Sequence, residues 1–65
     1  MFVIESSGLY FRRPARGWLN WTHSVNEAHA FIDANAAHKV AEGLRYQGIV
    51  GARVKTLADA LRPNA

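Results

Sequence analysis

The chain has 65 residues and no cysteine, and its eight Lys and Arg against five Asp and Glu give a formal net charge of +3 and a pI near 10.0. A chain this short buries only about 60% of its unfolded surface, which leaves room for one small core and a single domain over residues 1–65. No disulfide or thiolate zinc site can supplement that core, no apolar run reaches the ~18 residues of a membrane span, and MFVIESSG lacks the basic-then-apolar order of a secretory signal, so a cytoplasmic location is expected.

Phe2-Val3-Ile4-Glu5 is β-prone, Ser6-Ser7-Gly8 is a turn cluster, and Leu9-Tyr10-Phe11-Arg12 is β-prone again, which predicts a hairpin. On a period of two, Phe2 and Ile4 share a face with Leu9 and Phe11, the side a helix should cover, while Tyr10 and Arg12 point the other way. Pro14 restricts Arg13 to extended backbone, and with Gly17 it brackets a basic connection, RPARG. Gly17-Trp18-Leu19-Asn20-Trp21-Thr22 alternates and reads as a third strand, with one indole in the core and the other at least partly outside.

Ser24-Val25-Asn26-Glu27 fits a capping box and opens a helix. The stripe Val25, Ala28, Ile32 could run on to Gln47 as one helix, but Asp33 and Asn35 are poor interior residues and Asp33 is a good cap. The preferred reading is a short helix, a bend near Ile32, and a main helix from Asp33 to Gln47. Ala36, Ala37, Val40, Ala41 and Leu44 form its apolar stripe, Lys39, Glu42 and Arg45 lie off it, Ile32 is placed to close a hydrophobic staple, and Gly48 suits the left-handed stop. Ile49 to Lys55 alternates as a final strand with Gly51 at a bulge or close approach, and Leu57 to Leu61 is a helical turn capped by Thr56 and stopped by Pro63. The sum is β-β-β-α-α-β, a two-layer α+β domain with an antiparallel sheet and one face covered by helix.

His23, His29 and His38 are six and nine residues apart, which is not the spacing of ligands on one helical face, so no metal or other cofactor is expected. Ser24, Glu27 and Asp33 could in principle join a histidine in acid-base chemistry, but Ser24 and Asp33 read as caps, and one thin core leaves little room for a pocket; no enzyme is expected. The binding surface is expected at Tyr10, Arg12, Arg13, Arg16 and Trp18, where forked cations alternate with flat rings and no acidic residue stands between Glu5 and Glu27. Arg53 and Lys55, on the outer side of the last strand, extend it if that strand lies nearby. A protein partner and a nucleic acid would use the same atoms, and the competing reading is a charged sheet edge that discourages strand addition.

The order of an aromatic hairpin, Gly17 to Thr22, Ser24 to Glu27-Ala28, Phe31, and an Ala36-to-Leu44 helix leading to a Val-rich strand resembles short phage and prophage orphan proteins. Small proteins of that type include inhibitors of bacterial defence, among them type I anti-CRISPR proteins, which dock onto the surveillance complex or its nuclease. The resemblance implies a non-enzymatic binder in the bacterial host cell whose partner is a CRISPR surveillance complex or nuclease; apart from it, a monomer or a homodimer that covers an exposed Trp18 or Trp21 against a copy of itself is expected. Inhibitors that imitate DNA are acidic, whereas this chain is basic, so occlusion of an acidic or mixed surface is the expected mode. A small basic nucleic-acid-binding domain is the alternative.

Overall fold

A computed structural model describes residues 1–12 and 21–62. β1 (Phe2–Ser6) and β2 (Leu9–Phe11) form the expected hairpin, followed by β3 (Trp21–Thr22), a 3-10 turn (Val25–Glu27), α1 (Ala34–Tyr46), β4 (Arg53–Thr56) and α2 (Leu57–Leu61). The four strands make one antiparallel sheet in the order β3-β2-β1-β4, and α1 packs on its β1 and β4 half. The architecture is therefore the two-layer α+β domain that the residue pattern predicts, and the helical turn expected at Leu57 to Leu61 is present as α2.

Local chemistry accounts for most boundaries. Ser7 and Gly8 both have positive φ, 52° and 83°, the backbone a two-residue hairpin turn needs to match strand twist. Asp33 caps α1, its side chain accepting from Asn35 N at 3.1 Å. At the other end Gly48 takes φ 105°, its N–H donates to Arg45 O, and the Ile49 N–H donates to Leu44 O, the paired bonds of a Schellman stop. Thr56 caps α2 by accepting from Asp59 N at 3.1 Å.

The core is Ile4, Phe11, Ala41, Leu44 and Ala52, all buried, with Trp21, Phe31, Val40, Ile49 and Val54 packed against it. Fully burying a residue such as Ile4 or Leu44 contributes about 1.5–3 kcal/mol. Within the expected stripe of α1, Ala37, Ala41 and Leu44 are buried and Val40 is half-buried, but Ala36 is exposed.

Three expectations need correction, and one feature was not foreseen. The first helical segment is only the 3-10 turn, and no capping box forms: Ser24 makes no side-chain cap bond, the Glu27 N–H donating to Ser24 O at 3.1 Å, while Thr22 Oγ1 takes the other half by accepting from Ser24 N at 3.0 Å and donating to Glu27 Oε1 at 3.4 Å. Ile32 is 82% exposed, so it closes no staple. The final strand starts at Arg53, not Ile49, because the Schellman stop leads into a second turn closed by Ala52 N donating to Ile49 O; Val50 is consequently exposed. Gly51 in that turn is a close approach, since a Cβ there would stand 3.2 Å from Ser6 Oγ. Finally, β1 and β2 diverge after Phe11 and the chain at 29–31 fills the gap. His29 N donates to Phe11 O, and Phe2 and Phe31 exchange both backbone bonds at 2.7 and 2.8 Å.

Hydrogen-bond direction settles the free edge of β4. Leu57 N donates to Met1 O, so residues 53, 55 and 57 turn their backbone groups toward β1 while 52, 54 and 56 turn theirs outward. Ala52 O, the first of the outward acceptors, receives Arg45 Nη1 at 2.8 Å.

Candidate binding face

Directly opposed residues of antiparallel strands share a face. The pairs Ile4 with Val54 and Phe11 with Trp21 define the inner face, under α1 or beside it. The outer face carries the row Thr22, Tyr10, Glu5, Arg53, each opposite the next across β3, β2, β1 and β4, and the pair Val3 and Lys55. The sequence pattern alone therefore orients Tyr10, Arg53 and Lys55 to one side, and the strand order brings them together.

Their charges are not independent. Arg53 Nε donates to Glu5 Oε1 at 2.9 Å, and Lys55 Nζ lies 3.7 Å from Glu5 Oε2. Glu5 is only 12% exposed at its side chain, Lys55 32% and Arg53 67%. One carboxylate thus sits under two cations, a link the sequence reading missed because it left open which strand the last one joins. Val3 is fully buried although it lies on the outer side, so this face is closed around Val3 and partly open around Tyr10 and Arg53.

Arg12 is exposed and, among the described residues, makes no ion pair. Arg13, Arg16 and Trp18 lie outside the described residues, as does the Gly17–Asn20 part of the expected third strand. Of the two indoles, Trp21 is on the inner face, half-buried, with its ring edge-to-face on Phe11 at 5.8 Å and 74°.

A second feature lies on the inner face where α1 does not reach. Ser6, Ser7, Leu9, Trp21 and Ile49 line an open, mainly apolar depression of about 190 Å³. This is below the ~300 Å³ at which small-molecule sites usually begin, and among the described residues no titratable side chain lines it. The histidines serve separate places: His29 sits edge-on to Phe31 at 4.5 Å, while His23 and His38 are exposed. Among the described residues, no group of three or more His, Asp and Glu is placed to hold a metal ion, and no helix is long and apolar enough to cross a membrane. No family model, curated protein or solved structure matches the chain.

Proposed function

We propose that the chain is a small non-enzymatic binding protein of phage or mobile-element origin that acts by covering part of another protein. Its specific target would be a bacterial CRISPR-Cas surveillance complex or its nuclease. The observation that carries the binding reading is the cross-strand row Tyr10, Glu5, Arg53 on the sheet face opposite α1. Tyr and Arg, here in one row with Glu5 between them, are among the residue types in which binding energy concentrates at protein interfaces. The target class rests on the resemblance in the order of elements and on the basic charge, which suits occlusion of an acidic or mixed surface. The alternative, a small basic nucleic-acid-binding domain, is favoured by the exposed Arg12, which makes no ion pair among the described residues, and disfavoured by Glu5, whose charge offsets one of the two neighbouring cations.

The test is co-elution of the purified chain with a purified type I surveillance complex and with its nuclease, read beside cleavage of target DNA. A stoichiometric complex with loss of cleavage is expected, and Arg53→Glu should abolish it while Lys39→Glu on the solvent side of α1 should not. Absence of co-elution with both proteins would remove the target. Equal binding by Arg53→Glu and the unaltered chain would remove the face.

A further inference from the structure

We infer that the apolar end of the outer sheet face is the contact of a two-fold homodimer, in which a second copy of this chain packs on the row Ile32, Met1, Leu57, Leu61. The row follows from the register. Phe2 is paired with Phe31 on one side and Thr56 on the other, so Met1 stands between Ile32 and Leu57, and directly opposed residues share a face. The Leu57 N–H donates to Met1 O at 2.8 Å, and Leu61 lies one turn along α2, which rests against β1 and β4. Ile32 is 82% exposed, Met1 61% and Leu61 54%. Exposed apolar groups scattered singly need no explanation, but a contiguous set marks an interaction site. Val50, equally exposed, lies elsewhere, beside Gly51 at the Ser6 end of β1.

The order of the row points to a second copy as its occupant. In a two-fold contact the same patch meets itself, so a row of residues must match its own reverse. With the axis between Met1 and Leu57, Met1 of one copy meets Leu57 of the other and Ile32 meets Leu61, apolar on apolar throughout. The residue beyond each end then carries opposite charge: Asp33 follows Ile32 and Arg62 follows Leu61, both exposed, so the two-fold sets a carboxylate against a guanidinium twice. Asp33 accepts from Asn35 N through Oδ1, and Arg62 holds Asp59 through Nη2 at 3.3 Å, which leaves Asp33 Oδ2 and the Nε and Nη1 of Arg62 to meet across the contact. Lys55, the next cation along β4, leans toward Glu5 at 3.7 Å, away from the axis, so its two copies are drawn apart. The row Tyr10, Glu5, Arg53 crosses β1 four residues from Met1, about 13 Å along the strand, and stays at the far end of the face.

The experiment is sedimentation velocity of the full chain from about 10 µM to about 1 mM, the range of weak specific pairs. A monomer–dimer equilibrium is expected, with a dissociation constant that rises at least about tenfold in Ile32→Glu and does not change in Val50→Glu, a control of equal exposure at the other end of the sheet. Arg62→Glu and Asp33→Lys each place like charges at both ends of the contact, so each alone should weaken it. Their equimolar mixture should restore it as a heterodimer, because both ends then carry opposite charges again. Asp33→Lys gives up the cap of α1; if circular dichroism shows it unfolded, Ile32→Glu, Val50→Glu and Arg62→Glu decide the matter among themselves. A monomer at 1 mM overturns the inference, including one that instead sediments with anionic phospholipid vesicles. So does a dimer indifferent to Ile32→Glu or to Arg62→Glu, a dimer dissolved by Val50→Glu, or a folded mixture that associates no more tightly than its components. The surveillance complex takes no part, so this contact stands or falls apart from the reading of the charged row.

Discussion

The two faces of one sheet, built from alternate residues of the same strands, are held in opposite ways. On the inner face Ile4, Phe11 and Val54 meet Ala41 and Leu44 of α1, and contact is apolar throughout. On the outer face Glu5, Arg53 and Lys55 meet one another as charges, at least one of them largely in water. Area removed from water stabilises by a roughly fixed amount per square ångström, whereas exposed ion pairs contribute little and fade with salt. The inner face, with Val3 buried from the other side, should therefore govern whether the domain folds, and the charged row of the outer face what it touches once folded.

The sharpest way to break that division is Ile4→Ala. Emptying a fully buried position costs about 2–5 kcal/mol, and a domain of this size has only about 3–10 kcal/mol in total, so urea titration should show a largely unfolded or barely folded protein. Arg53→Ala, one residue row away on the other side, should move the same titration by no more than about 1 kcal/mol. Equal losses would end the comparison.

Next in size is Gly48→Ala, which places a side chain at φ 105° in the stop that aims Ile49 at the core. A loss of about 1–2 kcal/mol is expected in the denaturant midpoint. Gly43→Ala tests α1 away from both faces: nothing lies within 4 Å of the added carbon, and helix propensity alone should raise stability by about 0.8–1 kcal/mol. An unchanged or lower melting temperature would contradict it. Smallest is Glu5→Gln, expected to cost less than about 1 kcal/mol at low ionic strength and less still at high salt, measured as the difference between two melting curves.

The difference in legibility follows the same division. Core positions could be read because a period of two or 3.6 repeats over several residues, as in Ala37, Ala41 and Leu44, and because Asp33, Gly48 and Thr56 each satisfy or end a helix by local bonding alone. The Phe31 insertion between β1 and β2 could not be read, because it depends on where two strands part and leaves no periodic trace. The Ser24 capping box failed because the hydroxyl of Thr22 holds Ser24 N and the Glu27 carboxylate, while the Glu27 N–H goes to the Ser24 carbonyl. Val50 kept the alternation of a strand yet sits in a turn, because backbone bonds to Ile49 and from it fixed the chain before any partner strand could. On the outer face the direction of Tyr10, Arg53 and Lys55 was legible, but the sharing of Glu5 by Arg53 and Lys55 required knowing that β1 lies beside β4.

The bond from Arg45 to the Ala52 carbonyl has a consequence for crowded solutions. A stray extended segment trying to lengthen the sheet at β4 finds the first acceptor already occupied and, past Thr56, the chain turning away into α2, which leaves a foothold only at Val54 and Thr56. Fibril growth by templated stacking needs a longer unobstructed track, so one guanidinium at a helix terminus helps keep copies of this molecule from polymerising.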